Sequence, residues 1–280
     1  MMNIGIRLHD TAPGTLEERL SFAAKQGFTC EHLALSKAVS GFCMEEAPRR
    51  LDQELADRVK EAHRQAGLSC AVLGCYLNLA DPDAESREKT REIYRAHLRF
   101  APLCGAGVVG TETPANPKSV FSKPAPEDED AFRLFIDSLR PVIRHAEEAG
   151  AVLAVEPVWS HIVSTPARAE RMLEEIRSDH LKIILDAVNL ISPAAADRAD
   201  DIVAEAIRRL GDQVRVLHMK DYVLRPDGTM DACACGTGNM RYERLLRFAK
   251  ERKLPMTLEN TVPENAEAAR LHLEKIAETV

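Results

Sequence analysis

Short apolar, β-branched runs alternate along this chain with longer amphipathic runs, eight times over. In the first half the strands are read at Asn3–His9 (NIGIRLH), Thr29–Leu35, Ser69–Asn78 and Val108–Thr113. In the second half they fall at Ala151–Trp159, Leu181–Leu190, Val214–Tyr222 and Met256–Thr261. The pattern predicts helices at Thr15–Gln26, Asp52–Ala66, Ala84–Cys104, Asp128–Ala149, Thr165–Arg177, Arg198–Leu210 and Arg241–Arg252, and a closing helix at Glu264–Glu278. Thr15 stands as an N-cap before Glu17 and Glu18, and Gly27, Gly67, Gly105, Gly150 and Gly211 stand where helices should stop. Such alternation implies a parallel α/β sheet covered by helices. The 280 residues suffice for one domain, since a (β/α)8 TIM barrel takes about 250. The expected fold is therefore a single TIM barrel over residues 1–280. An open doubly wound sheet would carry a Gly-rich phosphate loop after its first strand, and the segment after His9 (DTAPGT) is not one. Ser36–Pro48 and Pro114–Pro126 read as active-site or interface loops.

Composition removes several functions. The net charge is −7 and the pI about 5.8, without the basic stripe of a nucleic-acid binder. An acidic surface also disfavours anionic membranes. Met1–His9 lacks the basic-then-apolar pattern of a signal peptide. No stretch approaches the ~20 apolar residues of a membrane span, so a cytoplasmic protein is expected. Seven cysteines, an odd number, argue against a disulfide framework. Cys233 and Cys235 form a C-x-C pair without a second pair nearby and read as loop thiols, not a zinc site.

The chemistry is concentrated in the second half. Four successive strands carry a metal-type ligand near their C-terminal ends: Glu156, Asp186, His218 and Glu259. In a barrel that is the face on which active sites are built. Alternation puts Val152 and Ala154 on the face of Glu156, Ile184 with Asp186, Val214 and Val216 with His218, and Thr257 with Glu259. One strand-end Glu or His is more often a salt bridge than a ligand. Four at one depth are harder to explain so, because three gathered carboxylates repel unless a cation joins them. Three carboxylates with an imidazole suit Mn²⁺ best, with Mg²⁺, Co²⁺ or Zn²⁺ as alternatives.

These segments carry a resemblance. AVEPVW around Glu156, ILDAVNL around Asp186, VLHMKDY around His218, TLENT around Glu259 and GTGNMRYERLL (Gly236–Leu246) resemble the sugar phosphate isomerase/epimerase family, the xylose isomerase-like barrels. The resemblance covers essentially the whole chain. It implies one divalent metal held by Glu156, Asp186, His218 and Glu259, and a sugar, keto-sugar or polyol derivative as substrate. It implies an enediolate intermediate, with Glu156 and Glu259 as the acid/base pair on opposite faces of the reacting carbon. Members often assemble as dimers or tetramers, so a homo-oligomer is an expectation. One departure narrows this: many members carry D-x-x-H on strand six, whereas here Asp186 is followed by Asn189, which hydrogen-bonds but does not titrate near neutrality.

Further substrate contacts are expected from Arg7 and His9 on one face of strand one, Glu112 at the end of strand four, Asn189, Lys220 with the parity of His218, and Trp159 as an apolar wall beside a sugar. Asp221 is read as orienting a neighbour. His32, His63, His97, His145, His180 and His272 receive no role. Three other readings stay open or are set aside. A lyase or dehydratase acting on a keto-sugar or inosose would use the same carbanion. A non-catalytic barrel binding a sugar or partner is kept open by Asn189. An endonuclease-IV-like phosphodiesterase is disfavoured for want of a basic groove and a histidine-rich cluster. With no run of basic residues beyond Arg7, Lys220 and Arg241, an unphosphorylated substrate is preferred.

Overall fold

The computed structural model describes residues 2–114 and 125–280. Eight parallel strands close into a barrel. They are β1 (Ile4–Arg7), β2 (Cys30–Leu33), β3 (Ser69–Gly74), β4 (Val108–Glu112), β5 (Leu153–Glu156), β6 (Leu181–Asp186), β7 (Val214–Met219) and, after a hairpin of β8 (Asp221–Leu224) and β9 (Met230–Cys233), β10 (Met256–Leu258). The helices are α1 (Leu16–Lys25), α2 (Leu35–Ala38), α3 (Ala47–Arg50), α4 (Gln53–Ala66), α5 (Ala84–Cys104), α6 (Glu129–Ala149), α7 (Pro166–Ile176), α8 (Ala187–Leu190), α9 (Ala199–Leu210), α10 (Glu243–Arg252) and α11 (Ala266–Ala277). The fold is a (β/α)8 TIM barrel, as the alternation predicts. No described helix is long and apolar enough to cross a membrane.

Capping explains the helix ends. Thr15 accepts from the Glu18 amide while the Glu18 carboxylate accepts from the Thr15 amide, a complete capping box. Asp52, Asp83, Asp128 and Thr165 cap α4, α5, α6 and α7 in the same way with one side chain each. Gly67, Gly105 and Gly150 close their helices in the left-handed conformation. Gly211 differs: its φ is −53°, and glycine fits there because a Cβ would lie 2.5 Å from the Ile207 carbonyl oxygen.

The apolar core lies mainly between barrel and helices. A smaller cluster fills the barrel itself: Cys30, Ala71, Val72, Val108, Ala154, Ile184 and Val216. The parity reading holds at Ala154, Ile184 and Val216, but Val214 packs outward. The register slips between Ile183 and Ile184, so that Val214 and Val216 face consecutive residues of β6 and Arg215 is skipped.

All eight barrel strands end short of the predicted runs, Ser69–Asn78 at Gly74 and Ala151–Trp159 at Glu156 among them, and three of the differences bear on the site. The run Leu181–Leu190 stops as a strand at Asp186, whose carboxylate accepts from the Asn189 amide and starts α8. The run Val214–Tyr222 breaks at Lys220, and its tail becomes the hairpin. His9 is not on β1; it sits in a 3-10 turn over Leu8–Asp10. Ser36–Pro48 is partly helical, spanning most of α2 and the start of α3, and Pro114–Pro126 lies largely outside the described residues.

Candidate active site

The C-terminal ends of four strands bring Glu156, Asp186, His218 and Glu259 together. Glu156 and Asp186 end β5 and β6, His218 is the penultimate residue of β7, and Glu259 follows β10 directly. All four are buried. His218 Nδ1 lies 3.0 Å from Glu156 Oε2 and 3.3 Å from Glu259 Oε1. The Lys220 ammonium bridges Asp186 Oδ2 at 2.9 Å and Glu259 Oε2 at 3.3 Å. Asn189 Nδ2 donates to Glu156 Oε1 at 2.6 Å.

These groups are close without being properly paired. Among the described residues, both ring nitrogens of His218 and Asp186 Oδ2 are buried without an aligned hydrogen bond, although Nδ1 and Oδ2 have neighbours at ion-pair distance. One ligand atom each from Glu156, Asp186 and His218 lies within 4.8 Å of the others. Buried ligand-type atoms gathered this closely without aligned partners fit a cation. The charges fit too. Three carboxylates against one ammonium leave two negative charges, which a divalent ion would neutralise. Without such an ion the site takes protons. Burial would lower His218, but Glu156 and Glu259 outweigh it and push the imidazole up to about 9. Burial, joined by Glu156 and Glu259, holds Asp186 above the usual carboxylate range even beside Lys220. Glu259 goes the other way: His218, Lys220 and Arg7 override its burial and keep it ionised.

The remaining expected contacts form a rim. Arg7 reaches Glu259 at 3.7 Å and is held by Asp10 at 3.1 Å. His9 stands 3.9 Å from Asp10, and burial, with Arg7 beside it, lowers its pKa to about 4. Glu112 is in register with Glu156, and burial together with Glu156 and Glu259 raises it to about 7. Trp159 is 40% exposed, so it is no core residue. Its amide donates to the Asn189 carbonyl at 2.7 Å, which places it on the mouth beside Glu156. Arg241 is exposed and paired with Asp200. Asp221 accepts from the amides of Tyr222 and Met240 through Oδ1, and of Gly236 and Gly238 through Oδ2. The GTGNM segment is thus wound around one carboxylate next to Lys220.

Two site residues escaped the sequence reading. His32, buried on β2, stacks on His218 at 5.2 Å between centroids and on Tyr76 at 5.6 Å. Among the described residues, neither ring nitrogen of His32 nor the Tyr76 hydroxyl has a hydrogen-bond partner. Parity was the available signal: His32 shares the inward face with Cys30.

A TIM barrel with carboxylates and an imidazole gathered at its strand ends defines a class of enzyme-type scaffolds. Within it, the chain belongs to the xylose isomerase-like TIM barrel family, which it matches over residues 20–278. A search of curated protein sequences returns no significant match. Among solved structures, the 3-keto-D-glucoside 4-epimerase YcjR from E. coli is similar, with TM-score 0.76, 19% identity and coverage of 98% of this chain and 100% of that one. A xylose isomerase-like TIM barrel protein from Mycobacterium smegmatis, in complex with magnesium, gives 0.72, 17%, 99% and 97%. The probable 3-DHS dehydratase AsbF from Bacillus anthracis gives 0.71, 14%, 98% and 98%.

Proposed function

We propose that this protein is a divalent-metal-dependent isomerase or epimerase acting on an unphosphorylated sugar, keto-sugar or polyol derivative. The observation that carries this reading is the convergence of three strand-end carboxylates and His218 with their donors unaligned to one another. Glu156, Asp186, His218 and Glu259 would hold the ion, with Mn²⁺ or Mg²⁺ favoured by an oxygen-rich set. When bound, such an ion supplies Lewis acidity toward a carbonyl and its neighbouring hydroxyl.

Glu156 and Glu259 flank the imidazole of His218 from opposite strands. Glu259, kept ionised by His218, Lys220 and Arg7, takes the proton beside the carbonyl, leaving an enediolate. Glu156 delivers a proton on the other face, and Asn189 fixes the orientation of its carboxylate. Lys220 offsets the carboxylates and keeps them gathered. Arg7, His9 and Glu112 line the mouth where substrate hydroxyls would sit, and exposed Trp159 offers a flat apolar edge to a sugar ring. Arg7, Lys220 and Arg241 are each already paired with a carboxylate, which favours a substrate without phosphate.

The test is metal-loaded protein with candidate ketoses in deuterated water. Label should enter recovered substrate and product, and chelation should stop it. Glu156→Gln and Glu259→Gln should each lower turnover by about 10³-fold with little change in melting temperature. Near-wild-type turnover in either variant would overturn the acid–base assignment. A dehydratase is the second reading, favoured by the Asn189 bond that occupies one oxygen of Glu156. Accumulation of an unsaturated product without label return would select it.

A further inference from the structure

A second cluster of ligand-type side chains lies outside the barrel, away from the mouth. Cys30 and His32 point into the barrel, so Glu31 between them points out of it, under α4. It is fully buried. His63 comes down from the last turn of α4, and its Nε2 meets Glu31 Oε1 at 2.9 Å. Cys70 stands beside Glu31 in register on β3. One ligand atom from each of the three lies within 4.8 Å of the others.

Three further details distinguish this cluster from an ordinary buried ion pair. Glu31 Oε2 is buried and has no hydrogen-bond partner among the described residues. His63 Nδ1 lies 2.8 Å from the Val59 carbonyl oxygen and so carries the proton there, which leaves Nε2 aimed at the cluster. A backbone carbonyl on the far nitrogen is how ligating histidines are usually held. The charges also balance. A carboxylate and a thiolate together carry two negative charges, which one dication neutralises where the side chains are shut off from bulk solvent.

We propose that Glu31, His63 and Cys70 form a second metal site, closed and structural, for a thiolate-preferring divalent ion of the zinc type. Without metal, burial keeps the Cys70 thiol protonated, while Glu31 holds a proton on His63 against the cost of burying it. Binding releases both protons: the M²⁺ ion replaces the thiol proton of Cys70 and the Nε2 proton of His63, and the total charge of the cluster is unchanged. The ion ties α4 to β2 and β3, and it is independent of the chemistry at the mouth.

Cobalt separates the two sites. Protein produced in cobalt-supplemented medium should show a near-ultraviolet thiolate-to-cobalt charge-transfer band, because the mouth cluster contains no thiol. Cys70→Ser should abolish the band and lower the metal content by one ion per chain. Glu156→Gln should leave the band intact, so failure of the proposed function would not disturb this readout. A band that survives in Cys70→Ser overturns the site. If Cys70→Ser does not fold, the wild-type protein decides alone: bound cobalt without a thiolate band overturns it equally.

Discussion

The two halves of the barrel close one sheet but finish it differently. On β5, β6, β7 and after β10, the inward residues at the mouth are Glu156, Asp186, His218 and Glu259. On β2, β3 and β4 they are His32, Gly74, Gly110 and Glu112. The second half concentrates charge, and the first makes room. A Cβ on Gly74 would lie 2.8 Å from His32 Nε2, and one on Gly110 would lie 2.6 Å from Val72 Cγ1. The two imidazoles stacked at the mouth differ in the same sense. Burial lowers His32 and brings His97, behind β4 on α5, down to about 4, whereas the carboxylates push His218 up to about 9.

The contrast can be broken most sharply at Lys220. Lys220→Met leaves three carboxylates without their internal cation. Metal-free protein should lose about 3–5 kcal/mol, and Mn²⁺ should restore most of it. Thermal melts with and without chelator check this, and an equal loss in both conditions would contradict the charge balance.

The next effect is a pH dependence. The folded pKa of His97 lies below its ordinary value, so the unfolded chain binds the proton more readily. Its stabilising contribution is complete above about 6.5 and is lost as the pH falls toward 4. At pH 5 the loss should be about 2 kcal/mol. His218 has the opposite sign: in metal-free protein its contribution is present at low pH and lost as the pH rises through about 9. Denaturant melts between pH 4 and 7 should show a flatter acid limb in His97→Gln; an unchanged slope would remove His97 from the account.

The smallest effect tests the space-making half. Gly74→Ala should cost about 1–3 kcal/mol by overpacking, because the new methyl meets His32. Stability equal to wild type in denaturant would show that the first half is not tightly fitted.

This division also decides what could be read from the chain. The (β/α)8 order was legible because strand and helix periods differ and the caps fall where they should. The quartet was legible because a charged residue in an apolar strand is conspicuous, and the structure gathers all four. His32 was not, since a neutral histidine in CEHL looks like an edge residue until parity is counted. Nor were α8 and the hairpin: AVNL and YVL are as apolar as the strands they extend, and only Asp186 capping Asn189 and the break at Lys220 divide them. Glycines that make room leave no chemical signature.

The winding of Gly236–Met240 around Asp221 gives the hairpin an anchor at its base and none at its tip. Three hydrogen bonds from backbone amides fix where the chain re-enters the barrel, whereas the outer turn from Arg225 to Thr229 is exposed and held by bonds within the hairpin. That turn is where length and sequence are free to vary. A reporter peptide or a second binding module inserted there would be carried on the rim of the mouth without resetting Lys220.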